Sequence, residues 1–237
     1  MPAESSTSRF KSFLDWTRSR LRLAHIPAAP MTIMLAGIIG VAGGYGAILF
    51  TLIIETVTHL TLESVLAASV RNWQWLLLLA LVPALGLVFV SWLTRRFAPE
   101  AEGHGVPEVI TAVARHDGII RPRVSLVKIF ASGICIGTGG SVGREGPIVQ
   151  IGASLGSVFG QAMKLSPRHI KVLVAAGAAA GISATFNAPI AGVIFASEII
   201  LGSFAVESLT PIVVSSVLAD VVQQHFGEHR LDVAFPQ

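Results

Sequence analysis

Residues 129–163 read IFASGICIGTGGSVGREGPIVQIGASLGSVFGQAM. Fifteen uncharged residues, 129–143, lead into Arg144-Glu145, and eighteen more, 146–163, follow. A helix of fifteen residues rises about 22 Å, short of the roughly 30 Å hydrocarbon core of a bilayer. The stretch therefore predicts two apolar helices that fall short of, or only just reach, a full span, separated by a glycine-rich break. Glu145 sits at that break. A carboxylate between apolar stretches is expensive in lipid and marks a functional position.

The rest of the chain supports a membrane reading. Of 237 residues 52% are hydrophobic before the 23 glycines are added, where a soluble domain reaches roughly 45–50% with glycine included. Charged residues make up 13%, about half the usual share, and the mean hydropathy is +0.70. So little polar surface excludes a soluble enzyme, a secreted disulfide scaffold and a disordered chain. Residues 31–54 and 73–94 are uncharged runs of 24 and 22 residues, each long enough to span. Trp73, Trp75 and Trp92 lie near the ends of the second run, as in an aromatic belt. Five glycines between Gly37 and Gly46 allow close helix packing in lipid. Beyond residue 100 the runs shorten or break: 172–197 is interrupted at Asn187-Ala188-Pro189, and 208–219 has only 12 residues. Irregular backbone at membrane depth must be buried in protein or line a wet cavity.

Net charge is +3, and the basic residues are distributed as loop anchors. No basic patch interleaved with aromatics points to nucleic acid. The lone Cys135 forms neither an internal disulfide nor a metal cluster and is expected to pack in the interior; no cofactor is expected. Residues 1–28 are polar and basic without a signal-peptide core, and are expected to be a cytoplasmic arm. Within it, residues 10–24 form either an amphipathic helix on the inner membrane surface or a simple tether.

The breaks carry helix-start chemistry. Gly105-Val106-Pro107, Gly146-Pro147, Ser166-Pro167, Asn187-Ala188-Pro189 and Thr210-Pro211 each predict a start at or near proline. A phosphate loop is excluded, because Arg144-Glu145 follows Gly143 where Lys and a hydroxyl residue are required. Two helix N-termini aimed at one point in a membrane would bind an anion through backbone N–H groups. Glu145, beside such a start, is able to occupy the anion's place and to leave it on protonation. A structural Glu145–Arg144 ion pair is the alternative.

These residues bring a family into view. The chain resembles the first half of the CLC chloride channel and transporter family over about residues 30–226. Gly103-His104-Gly105-Val106-Pro107 is similar to the family's G-S-G-I-P motif. Gly143-Arg144-Glu145-Gly146-Pro147 matches G-[KR]-E-G-P, and Val149-Gln150-Ile151-Gly152 matches the V-Q-x-G that follows. Gly177–Gly181 and Phe186–Gly192 match the later G-A-A-A-G and F-N-A-P-x-A-G stretches. The resemblance implies an all-α, polytopic membrane fold of full-length and half-spanning helices, the first of two inverted repeats. It implies that Glu145 is the gate. Anion contacts are implied for His104, Gly105, Val106, Pro107, Arg144, Gly146, Pro147 and Ile148, with Lys128 making the pore potential positive.

Two departures from the pattern matter. His104 replaces the family's serine, which leaves the choice between chloride and nitrate open. Ile199 stands where proton-coupled relatives often carry a second glutamate, so Glu198 is the remaining candidate for a proton path and weak or absent coupling is expected. The second repeat's motifs do not occur, and a complete pore is expected to need them, from a longer protein or another chain. The expected layout is an arm at 1–28, the repeat at 29–230 and a stub at 231–237. The expected function is chloride or similar anion transport, as a voltage- or proton-gated channel or a proton/chloride antiporter, not enzymatic. A non-transporting half-pore that regulates or dimerises with a full-length relative is the alternative. Expected partners are small anions, protons, lipids and a second copy through residues 189–226, in the plasma (inner) membrane with a cytoplasmic N-terminus.

Overall fold

The computed structural model describes residues 28–69, 76–101 and 103–227, and all regular structure among them is helical. The expected arm up to residue 27, its 10–24 helix, Trp73, Trp75 and the C-terminal stub lie outside the described residues. Helix α1 (Ala28–Thr58) continues through a wider turn, His59–Glu63, into α2 (Ser64–Ser69). Then come α3 (Leu76–Phe97), a short 3-10 turn (Pro99–Ala101), α4 (Val106–Arg115), α5 (Arg123–Gly137) and α6 (Glu145–Ala162). The last are α7 (Pro167–Phe186), α8 (Pro189–Phe195) with its widened extension Ala196–Leu201, and α9 (Val206–Phe226).

Four segments are long and apolar enough to cross a membrane: Pro30–Ala67, Leu79–Phe97, Pro167–Phe186 and Val206–Phe226. The first, at 38 residues, extends well beyond the uncharged run 31–54 and is long enough to cross at a steep tilt. α4, α5 and α8 are short, as the broken runs predict. α3 exposes Leu85, Val88, Phe89 and Trp92, a surface suited to lipid rather than water.

Glycine sets how these helices meet. α6 carries Gly152, Gly156 and Gly160 four residues apart, on one face. A Cβ on Gly152 would collide with the Gly177 carbonyl of α7, and one on Gly177 with the Gly152 carbonyl. Gly156 lies equally close to the Leu173 carbonyl, and Gly181 faces the Ile148 carbonyl. The two helices therefore run antiparallel with their backbones in contact, and Val149, Ala153, Leu173 and Ala176 fill the flanks. α1 runs parallel to α9: Gly37, Gly40 and Gly44 lie opposite Leu218, Ser215 and Val222. Close approach of small residues drives helix association in lipid, where no hydrophobic force separates helix from solvent.

The breaks close themselves. Gly139, Lys164 and Asn187 adopt positive φ at the ends of α5, α6 and α7. At each, the next N–H reaches five residues back: Gly140 to Cys135, Leu165 to Gly160, Ala188 to Ser183, at 2.9, 3.1 and 3.3 Å. Helix α8 starts at Pro189 as expected, but its cap is Ala188, because Asn187 ends α7 in the left-handed conformation. One expected helix start is corrected. Thr210-Pro211 lies inside α9, which begins at Val206. There Thr210 Oγ1 donates to the Val206 carbonyl, 3.2 Å, so its hydroxyl caps nothing. The Pro211 ring is accommodated little more than one turn into the helix.

The glycine contacts predict a steep size dependence. Gly177→Val should destabilise the protein by about 2–4 kcal/mol, through overpacking against backbone that cannot retreat. Gly46→Ala, whose new methyl would meet only ordinary contacts at 3.9 Å, should change stability by less than about 0.5 kcal/mol. Thermal unfolding in detergent compares them; equal effects would mean that α6 and α7 are free to separate.

Candidate anion site

α4 and α6 begin side by side. A Cβ on Gly146 would collide with the His104 carbonyl, and one on Gly105 with the Gly146 carbonyl. Residues 103–107 and 143–147 thus touch backbone to backbone. Gly103 and Gly105 have φ of +102° and +96°, a conformation that glycine adopts without strain. Together they turn His104 outward between them. A pocket of about 480 Å³ opens at this junction, lined by His104, Val106, Lys128, Ser132, Glu145, Gly146 and Pro147 among others.

The far end of α4 is held from α6. Ser157 Oγ accepts from the Ile120 N–H at 2.8 Å and donates to the Gly118 carbonyl at 2.6 Å. Gln161 Nε2 donates to the Ile120 carbonyl at 2.9 Å. The α4–α5 turn is therefore tied to α6 about three to four turns below the junction.

The expected site residues take distinct roles in the geometry. Glu145 is the first residue of α6, and its carboxylate folds back over Gly143, where a Cβ would meet it. Neither Glu145 nor Arg144 forms an ion pair or side-chain hydrogen bond among the described residues, so the structural pair considered above is absent there. Both are exposed, as are His104 and Pro107, while Pro147 and Ile148 are buried. Two amides expected to face an anion are engaged within the fold: Gly105 N–H donates to Glu108 Oε2 at 2.7 Å, and Ile148 N–H to the Arg144 carbonyl at 3.1 Å. The N–H groups left at the open ends of the helices are those of Val106, Glu145 and Gly146. Pro107 and Pro147 have no N–H to offer and fix φ in the first turns.

Lys128 is only 4% exposed. Its Nζ donates to the Ala101 and Gly103 carbonyls, both at 2.9 Å. The ammonium is thereby fixed beside the pocket while it anchors the loop that enters α4. Glu198, in the extension of α8, is exposed and makes no hydrogen bond or ion pair among the described residues; neighbouring Ile199 is exposed too. That extension packs against α4. Cys135 is buried, as expected.

Two contributors, Glu108 and Ser132, were not among the expected anion contacts. Glu108 captures the Gly105 amide, and the Gly105-x-x-Glu108 spacing of a capping box was the available signal. Ser132 lines the pocket one helical turn after Lys128, on the same face of α5. Together the pocket combines helix-start amides, an exposed carboxylate unpaired among the described residues, an imidazole and a fixed cation. That inventory suits a small anion competing with the Glu145 carboxylate.

Comparison with known proteins follows the same lines. A family model described as voltage gated chloride channel matches residues 85–236. A ClcB-like protein of Ralstonia nicotianae is 36% identical over 218 residues, covering 85% of this chain and 48% of the relative. The H(+)/Cl(-) exchange transporter ClcA of Vibrio vulnificus is 32% identical over 225 residues, covering 91% and 47%. The crystal structure of a slow cyanobacterial Cl-/H+ antiporter superposes with a TM-score of 0.74 at 24% identity, over 84% of this chain and 47% of that one. The chain spans about half the length of the curated relatives it matches.

Lys128→Met would keep the bulk of the stem and remove the donor, leaving the Ala101 and Gly103 carbonyls short of a partner. The expected loss is about 2–3 kcal/mol, from thermal unfolding in detergent. A variant as stable as the parent would show that the ammonium is not needed to hold the loop.

Proposed function

This chain belongs to the voltage gated chloride channel family, and from that premise we propose that it forms the first half of a transmembrane chloride pathway gated by Glu145. The observation that carries the proposal is the meeting of two helix starts, backbone to backbone at Gly105 and Gly146, around a pocket that the Glu145 carboxylate shares. In this proposal Val106, Gly146 and the first amide of α6 present N–H groups to the anion. Gly105, Pro107, Pro147 and Ile148 hold those starts in shape, and His104 donates from its ring. Arg144 and Lys128 keep the local potential positive. The deprotonated Glu145 occupies the place the anion would take; protonation removes its attraction to the helix start and opens the path. The relatives named as exchangers support chloride as the anion and a proton as the gating ligand. Cytoplasmic placement of the N-terminus in a plasma (inner) membrane is supported by the basic residues near it. The repeat assigned to residues 29–230 needs a second repeat to enclose the ion.

The test is flux in vesicles that hold this chain together with the second half of a relative. Wild-type chloride flux should rise as pH falls, and Glu145→Gln should be fast and nearly pH-independent. A proton gradient alone should drive little uphill chloride movement, because Ile199 carries no proton and Glu198 stands a residue away. An unchanged pH dependence in Glu145→Gln would transfer the gate to another group. Strong proton-driven uptake would make Glu198 or another carboxylate a working relay. Flux indistinguishable from empty vesicles, with the second half present and assembled, would favour the non-transporting half-pore.

Pairing of two copies through residues 189–226 belongs to the same proposal. It is supported by exposed Ile190 and Ile194 of α8 and Val213, Val217 and Val221 of α9. Each is a bare aliphatic side chain, and the α9 set recurs every four residues along one face. With Cys135 buried, Val217→Cys should give a crosslinked dimer under oxidation. A monomer only, under conditions where Leu85→Cys on α3 behaves the same way, would remove this surface from the assembly.

A further inference from the structure

A second pocket, of about 490 Å³, lies one length of α6 away from the anion site, where α1, α7 and α9 all begin. Its walls carry Arg168 and Lys171 from α7, Glu207 from α9, and Ser203, Leu201 and Val206 around them. His169 also lines it, with its Nδ1 paired to Ser166 Oγ at 2.7 Å. Lys171 is partly neutralised, its Nζ 3.4 Å from Asp117 Oδ1. Arg168 and Glu207 face the same cavity, yet neither pairs with the other or with any other described residue. They are carried by different helices, α7 and α9, and both are exposed, so the cavity leaves a charge of each sign open to a ligand. The occupant that matches is one carrying both signs in a compact group.

We infer that this pocket binds the phosphoethanolamine headgroup of a membrane phospholipid. The phosphate meets the guanidinium of Arg168, whose fork matches phosphate oxygens, with Lys171 behind it. The primary ammonium, with its N–H donors, meets the Glu207 carboxylate. Choline has no N–H to donate there, and glycerol carries no charge for Glu207 to attract. The acyl chains have a seat next to the pocket, since Met34, Phe204 and Val206 are 47%, 56% and 74% exposed. Lys164, Arg168 and Lys171 cluster where α7 begins, the composition of a loop at the headgroup level of one leaflet. The site is separate from the anion pathway and does not depend on how that pathway is gated.

Native mass spectrometry of the intact chain in detergent tests it, with phosphatidylethanolamine, phosphatidylglycerol and phosphatidylcholine of matched acyl chains at equal concentration. Phosphatidylethanolamine should be retained at least about fivefold better than the other two, the size of one partly exposed charge-assisted contact. Arg168→Ala should abolish that excess and Arg168→Lys should keep part of it. Glu207→Gln should erase the preference over phosphatidylglycerol while leaving phosphate-dependent retention in place. Lys164→Ala, in the α6–α7 turn outside the pocket, should change nothing. Equal retention of the three lipids, or an equal loss in Lys164→Ala, would reduce the effect to diffuse attraction and overturn the site. Displacement of the lipid by millimolar soluble phosphoethanolamine would overturn the lipid assignment in favour of a free metabolite.

Discussion

Everything in this structure depends on backbones that touch. Where α6 crosses α7, Gly152 and Gly177 each leave room for the other's carbonyl. Where α6 begins beside α4, Gly105 leaves room for the Gly146 carbonyl and Gly146 for the His104 carbonyl. Both contacts use the same short helix, so its position is fixed along its length by one neighbour and at its start by another. That rigidity is what an anion site made of amides requires. An N–H group cannot extend towards a ligand as a lysine side chain does; it has to be placed by the fold. A single methyl group at Gly146 would meet the His104 carbonyl and push the two helix starts apart, and no side-chain rearrangement would restore them.

The same limitation explains the part played by Lys128. A free ammonium in a low-dielectric interior is costly unless its donors are satisfied. Here two carbonyls, Ala101 and Gly103, accept from it, so the charge stays buried and the loop before α4 is fixed. Glu108 performs the complementary task on the next turn of chain, where its carboxylate accepts the Gly105 N–H. The two ionisable groups hold the loop from either side and leave His104 turned outward. Anchoring the loop and bringing a positive charge to the pocket are therefore compatible uses of one lysine.

Much of this was legible in the sequence because lipid leaves so few options. Uncharged runs too short to span predicted broken helices, and α4, α5 and α8 are short. Glycine and proline at 105–107 and 146–147 located two helix starts, since few other residue types tolerate those conformations. Thr210-Pro211 misled because hydroxyl before proline is a local signal that a helix already under way can absorb; α9 had started four residues before Thr210. Asn187-Ala188-Pro189 did mark the start of α8, but asparagine serves equally at the start of a helix and in the left-handed turn that ends one, and here Asn187 ends α7. The engagement of the Gly105 and Ile148 amides was hidden because it depends on which carbonyl or carboxylate the fold brings within reach. The meeting of Arg168 and Glu207 in one pocket at the start of α7 was hidden too, since the two are far apart in the chain.

The fold thus gathers helix starts in two places and equips them differently. At the α4–α6 junction the amides are accompanied by a cation that is held by carbonyls and an exposed carboxylate unpaired among the described residues. Where α1, α7 and α9 begin, the starts are accompanied by Arg168 and Glu207, which are held by nothing described. Buried Lys128 keeps two carbonyl partners at the first place, and the helix starts there offer backbone dipoles that the helices themselves supply. At the headgroup level water supports an unpaired charge until a ligand arrives. Small inorganic ions, which need dehydration and tight backbone contact, suit the first arrangement. Headgroups, which need reach and charges of both signs, suit the second.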